Sequence, residues 1–119
     1  MKRILIIDDD HDMASLIQSL LKYYGYDATV VHDPHKGLTL AQKSKPDLIL
    51  LDVLMPKMNG REVCEKLKQS GATKNIPVIF LTAKDSADDV AAELKVGGMG
   101  HITKPFDSKD LLEKIRDLC

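Results

Sequence analysis

The sequence predicts an α/β fold, a doubly wound (βα)5 arrangement around a five-stranded parallel sheet. Three observations predict it. Five short apolar runs recur, at residues 4–7, 28–31, 48–51, 78–81 and, more weakly, 101–103. Most are dense rather than alternating, as strands buried on both faces of a parallel sheet are. Between the runs lie segments whose apolar residues follow helical spacing, and strict alternation of the two kinds implies a parallel sheet with helices on both faces.

Each segment carries its own signals. After the first run, Met13, Leu16, Ile17, Leu20, Leu21 and Tyr24 fall at i, i+3, i+4, i+7, i+8 and i+11, and Gly25 supplies a left-handed stop. The second helical segment opens with Asp33-Pro34, an N-cap followed by proline at the first helical position. The third follows Asn59-Gly60 and carries Val63, Cys64 and Leu67. The fourth opens near Ser86, carries Val90, Ala91 and Leu94, and ends at Gly97-Gly98. The last opens at Asp107 or Ser108 and carries Leu111, Leu112, Ile115 and Leu118.

Composition excludes several classes. A chain of 119 residues with 44% hydrophobic and 29% charged residues suits one domain, residues 1–119, with a real core. Lys plus Arg is 17 and Asp plus Glu is 18, so neither nucleic acid nor an anionic membrane is the expected direct partner. The apolar runs are far too short to span a bilayer. Met1-Lys2-Arg3 stands close to the first run, as in a native start, and is no signal peptide, so the cytoplasm is the expected compartment. Cys64 and Cys119 form neither a disulfide framework nor metal-ligand spacing. Cys64 reads as a small core residue and Cys119 as the end of the last helix. His11, His32 and His35 show no metal spacing and read as surface residues. Met55 reads as packed in the loop after Asp52, and Met99 as exposed.

In a doubly wound sheet, functional residues gather where strands end. The first run is followed by Asp8-Asp9-Asp10, the third by Asp52, the fourth by Thr82 and the fifth by Lys104-Pro105. Singly, each has a plain explanation: helix-start acids, a loop acid, a turn hydroxyl, a solvated lysine. Their meeting at one edge of one sheet is a different matter. Converging carboxylates raise one another's pKa, and a divalent cation removes that repulsion. Oxygen ligands in small number suit Mg²⁺, and no His or Cys cluster points to zinc. Lys104 adds a fixed positive charge opposite the metal. An anion held from two sides fits a phosphoryl group, which a carboxylate nucleophile would take as an aspartyl phosphate.

The stretches Ile4-Leu5-Ile6-Ile7-Asp8-Asp9-Asp10, Asp52-Val53-Leu54-Met55-Pro56-Lys57-Met58-Asn59-Gly60, Leu81-Thr82-Ala83 and Ile102-Thr103-Lys104-Pro105-Phe106 resemble the receiver domain of two-component response regulators. Four motifs in the right order and spacing make the resemblance specific, and it covers essentially the whole chain. It implies the flavodoxin-like strand order 2-1-3-4-5. It also implies Asp52 as the phospho-accepting nucleophile. Asp9, Asp52 and the backbone carbonyl of Leu54 would ligate Mg²⁺, and Asp8 would hold a metal-bound water. Thr82 and Lys104 would bind phosphoryl oxygens, with a cis bond between Lys104 and Pro105. Asp10 has no ligand role in this scheme. Leu54 and Lys84, two residues after the nucleophile and the threonine, would flank the path of an attacking water. The implied partners are a sensor histidine kinase or a histidine phosphotransfer domain upstream and an effector protein or domain downstream. The implied partner surface is the fourth helix, fifth strand and fifth helix, switched by Thr82 and the residue at position 101. The module signals rather than acting as an enzyme on a separate substrate, beyond catalysing its own phosphotransfer and a slow autodephosphorylation.

The sequence departs from that family before the fifth strand. An acidic pair and an aromatic are usual there, whereas this chain reads Gly97-Gly98-Met99-Gly100-His101. The four catalytic positions are intact, so the alternative of a degenerate receiver acting only as a docking module ranks below a phospho-accepting one. A dehalogenase-type phosphatase needs a second Asp where Leu54 stands. A flavodoxin proper needs a Ser/Thr/Gly phosphate loop where residues 8–12 are acidic, and no P-loop is present.

Overall fold

The computed structural model describes residues 1–83 and 86–119. Strands and helices alternate as β1(Arg3–Ile7), α1(His11–Tyr23), β2(Asp27–Val31), α2(Pro34–Ser44), β3(Leu48–Asp52), α3(Gly60–Gln69), β4(Val78–Thr82), α4(Ala87–Lys95), β5(Gly100–Thr103) and α5(Ser108–Leu118). All strand pairs are parallel and the order is β2-β1-β3-β4-β5. The flavodoxin-like α/β architecture is therefore present.

That order explains the density of the apolar runs. β3 and β4 lie inside the sheet and are buried at every position, while the edge strands β2 and β5 are buried at only one position each. Alternation along each strand splits the core in two. Ile4, Ile6, Ile79, Leu81 and Ile102 meet α1 and α5 through Ile17, Leu21, Leu111 and Ile115. Leu5, Ile7, Ile49, Leu51 and Phe80 meet the other face with Ala41, Val63, Cys64 and Leu67. Cys64 is thus a core residue, and burial pushes its thiol up to about 11.

Helix ends follow local chemistry. Asp10, Asp33, Asn59, Ser86 and Asp107 are the N-caps, each accepting a backbone N–H from the first turn. Gly25 follows α1 at φ +90°, in the left-handed region that favours glycine.

Two inner faces differ from the sequence pattern. In α1, Leu16 is 57% exposed and Tyr24 is also exposed, because the sheet takes only the Ala14–Ile17–Leu21 side. In α4 the difference is larger. Ala91 and Leu94 face solvent, Val90 is half-buried, and the buried residue of the helix is Glu93. The helix is rotated so that this acid meets polar partners on α3 and β5, described below.

Candidate phosphoacceptor and metal site

The carboxyl ends of β1, β3, β4 and β5 form one edge of the sheet. β1 and β3 run in register from Ile4–Leu48 to Ile7–Leu51, so the residues that follow, Asp8 and Asp52, leave the sheet side by side. One carboxylate oxygen from each of Asp8, Asp9 and Asp52 lies within 4.8 Å of the others. Asp8 and Asp52 are buried and Asp9 is open to solvent. Three hard oxygen donors on an open edge fit a small divalent cation that keeps part of its water shell. The triad could hold a metal ion.

The acids are positioned by their neighbours. Asp8 accepts from the Asp10 N–H at 3.0 Å and from Lys104 Nζ at 2.9 Å. Asp52 accepts from the Leu54 N–H at 3.3 Å and lies 3.6 Å from Lys104 Nζ. Lys104 is brought in by its backbone N–H, which donates to the Thr82 carbonyl at 2.8 Å, and the Lys104–Pro105 bond is cis. Its ammonium therefore bridges the two buried carboxylates rather than standing apart from them. Thr82 is fully buried at the end of β4. Asp10, as the N-cap of α1, spends its carboxylate on the Met13 N–H at 3.1 Å. Leu54 is half-exposed beside Asp52. Lys84 lies outside the described residues.

The electrostatics follow from this packing. Burial, then the neighbouring Asp8 carboxylate, pushes Asp52 up to about 7, against the lowering effect of Lys104. Burial alone would lower Lys104, but its hydrogen bond to Asp8 and the charges of Asp52, Asp8 and Asp10 outweigh it, and the ammonium is held above its ordinary value. One ammonium against three acids leaves the edge short of positive charge. A cation held at the triad would supply what is missing.

Two features were not legible in the sequence. A Cβ on Gly60 would stand 2.1 Å from the Asp52 carbonyl oxygen, so the third helix starts against the backbone of the Asp52 residue itself. The Asn59-Gly60 pair signals a helix start but not this close approach. His32 is half-buried rather than a surface residue. Its Nδ1–H donates to the Asp8 carbonyl at 2.9 Å, and its ring stacks on His11 with centroids 3.6 Å apart. That pairing joins the end of β2 to the start of α1, and no spacing rule predicts it.

Residues 4–116 match the response regulator receiver domain family, and the chain belongs to that family. It is 41% identical over 99% of its length to the DNA-binding dual master transcriptional regulator RpaA of Synechocystis sp., covering 49% of that protein. It is 37% identical over 97% of its length to the alkaline phosphatase synthesis transcriptional regulatory protein PhoP of Bacillus subtilis, covering 47% of it. The chain thus spans about half the length of the curated relatives it matches. Among solved structures, the chemotaxis protein CheY4 of Vibrio cholerae superposes with a TM-score of 0.95 at 28% identity, covering 100% of this chain and 99% of that one. The signal receiver domain of a signal transduction histidine kinase from Syntrophus aciditrophicus superposes with a TM-score of 0.90 at 33% identity, covering 99% and 89%. The chain is a two-component signalling module rather than an ordinary enzyme. No described helix is long and apolar enough to cross a membrane.

Proposed function

We propose that residues 1–119 act as one phospho-accepting receiver domain, taking a phosphoryl group onto Asp52 from the phosphohistidine of a sensor histidine kinase or histidine phosphotransfer domain. The observation that carries this reading is the set of Asp8, Asp9 and Asp52 oxygens within 4.8 Å, with Lys104 bridging the two buried acids. In the transfer, a carboxylate oxygen of Asp52 attacks phosphorus as the bond from phosphorus to the imidazole nitrogen breaks. The electron pair of that bond stays on the donor imidazole.

Asp9, Asp52 and the Leu54 carbonyl would hold Mg²⁺, with Asp8 placing a bound water. The ion when bound neutralises the acids and the incoming phosphoryl oxygens. Asp52 must react deprotonated, and its elevated pKa makes that neutralisation matter near neutral pH. Lys104 exchanges its contact with the acids for a phosphoryl oxygen, and Thr82 bonds another. That movement is the step passed to the surface formed by α4, β5 and α5, where a protein effector docks. His101, on β5, belongs to that switch. Neither nucleic acid nor membrane is a direct partner of this region, and its place is the cytoplasm.

Incubation with acetyl phosphate or phosphoramidate and Mg²⁺ should add one phosphoryl mass to the intact chain, and Asp52→Ala should abolish it. No added mass with either donor, or equal labelling of the variant, overturns the reading. Leu54 offers no hydrogen bond to an attacking water, so Leu54→Asn should speed loss of the phosphoryl group. An unchanged decay rate removes Leu54 from that role.

A further inference from the structure

A second group of buried charges lies away from the strand ends. Glu93 on α4 is 2% exposed. Its Oε1 accepts from the His101 Nδ1–H at 2.5 Å, while its Oε2 has no hydrogen-bond partner among the described residues and lies 4.0 Å from Arg61. Arg61 reaches across from α3 and pairs with Asp89 Oδ1 at 2.8 Å. Arg61 Nε and His101 Nε2 are also buried without a hydrogen-bond partner among the described residues. Buried polar atoms in that condition are few in folded proteins and each one costs stability. Glu93 and His101 also line a cavity of about 170 Å³ with Val90, Leu94, Gly98 and Gly100.

Glu93 is a buried carboxylate set between two groups that can oppose its charge. Arg61 stands 4.0 Å away and is itself paired with Asp89, whereas the His101 ring is at hydrogen-bond distance. A proton on that ring would place a positive charge directly against the carboxylate. Among the described residues, the charged and titratable groups facing His101 are Glu93 and, beyond it, Asp89 from α4, and Arg61 from α3. The register partner of His101 on β4 is Phe80, which carries no charge and shares its sheet face. α5 packs on the opposite face.

We propose that the α4–β5 junction is a proton-operated latch, in which a proton on the His101–Glu93 pair sets a positive charge against the buried carboxylate and keeps α4 seated on β5. With the proton, imidazolium and carboxylate form a charge-assisted bond, roughly twice as strong as a neutral one. Without it, Nδ1–H still reaches Glu93, but the carboxylate is left buried with no opposing charge on the imidazole. Among its described residues α4 offers little apolar anchorage, since Ala91 and Leu94 face solvent and Val90 is half-buried. The latch belongs to the unphosphorylated chain and goes beyond the phosphoacceptor reading. Its consequence, that switching through α4 answers to pH, rests on that reading.

The test is amide hydrogen exchange of the whole chain from pH 6 to 8.5, corrected for intrinsic rates. Protection of α4 should fall about fivefold across the range, the ratio set by roughly 1 kcal/mol, while that of α3 stays level. In His101→Phe, which keeps a ring without a charge, and in Glu93→Gln, α4 protection should no longer depend on pH. Flat wild-type protection, or the wild-type profile persisting in His101→Phe, overturns the latch. Should Glu93→Gln fold poorly, the NMR titration of the His101 ring decides: its midpoint must coincide with that of the α4 amides, and separate midpoints overturn the proposal. Adding beryllofluoride and Mg²⁺ should displace α4 more at pH 8.5 than at pH 6. Equal displacement removes the link to signalling. Failure of beryllofluoride to bind counts against the Asp52 reading and leaves the latch to the exchange data.

Discussion

Helices α3 and α4 are neighbours joined by the Arg61–Asp89 ion pair, and they differ little in length, 10 and 9 residues. They are anchored by different physics. α3 buries Val63, Cys64 and Leu67 and starts against the Asp52 backbone at Gly60. α4 buries an acid and shows Leu94, 61% exposed, to solvent. Apolar burial is non-directional and insensitive to pH, whereas an ionic contact depends on charge and geometry. The first holds the helix that starts against the Asp52 backbone. The second holds a helix that can be released by a local change in charge. The two neighbouring helices thus differ in the kind of side chain that secures them.

The largest test of that contrast is truncation. Leu67→Ala should cost about 2–5 kcal/mol in urea denaturation, because a fully buried side chain leaves a cavity. Leu94→Ala should stay within about 0.5 kcal/mol, as exposed positions do. Comparable losses would place the anchorage of α4 in its apolar residues after all.

Next come two tight glycines, one at the start of α3 and one just after α4. A Cβ on Gly60 would meet backbone, at 2.1 Å from the Asp52 carbonyl oxygen, and a Cβ on Gly98 would meet the Phe80 ring at 2.5 Å. Overpacking costs roughly 1–3 kcal/mol, and Gly60→Ala should fall at or above the top of that range because backbone yields less than a ring. Urea midpoints of both variants measure the order, and a milder loss at Gly60 would show that the α3 start is not rigid.

A third test uses pH at the acid cluster. Asp52 is raised from 3.8 to about 7, so between those values the folded chain holds a proton that the unfolded chain has released. Its contribution to stability is fully present below pH 3.8 and is lost as pH rises through about 7. In EDTA the urea midpoint should therefore decline across that window. Millimolar Mg²⁺ should restore it most at the high end, where the carboxylates are ionised. A midpoint indifferent to both pH and Mg²⁺ would count against a cation site. Asp9→Ala should remove the Mg²⁺ gain.

The smallest expected effect separates the helices at their caps. Asn59 accepts from the Glu62 N–H at 3.0 Å and Ser86 from the Asp89 N–H at 3.1 Å, so each substitution to Ala should cost about 1 kcal/mol locally. In Asn59→Ala the loss should appear in global unfolding. In Ser86→Ala it should appear chiefly as faster hydrogen exchange within α4. Identical signatures would mean that the two helices open as one unit.

Legibility in the sequence followed range. The alternation of strands and helices was readable, as were helix starts such as Asp33-Pro34 and Ser86, because caps and periodicity act within a few residues. Asp8, Asp9, Asp52, Thr82 and Lys104 could be named as candidates because each directly follows, or closes, an apolar run. Helical spacing groups Ala91 and Leu94 with Val90, yet both face solvent. An acid at position 93 reads as solvent-facing unless His101 and Arg61 are known to stand opposite it.

By itself, then, the sequence determined the elements, their caps, the apolar content of each strand and the set of groups delivered to the strand ends. These depend on backbone sterics, local hydrogen bonds and hydrophobic periodicity, all short in range. Tertiary structure decided which strands became edges, that Lys104 bridges Asp8 and Asp52, that His32 supports the Asp8 backbone and that Glu93 is buried. Lys104 and Asp8 are 96 residues apart, and Arg61 and Asp89 are 28 apart. A charge can be buried only where a distant partner offsets its desolvation, and only the packed chain brings that partner near.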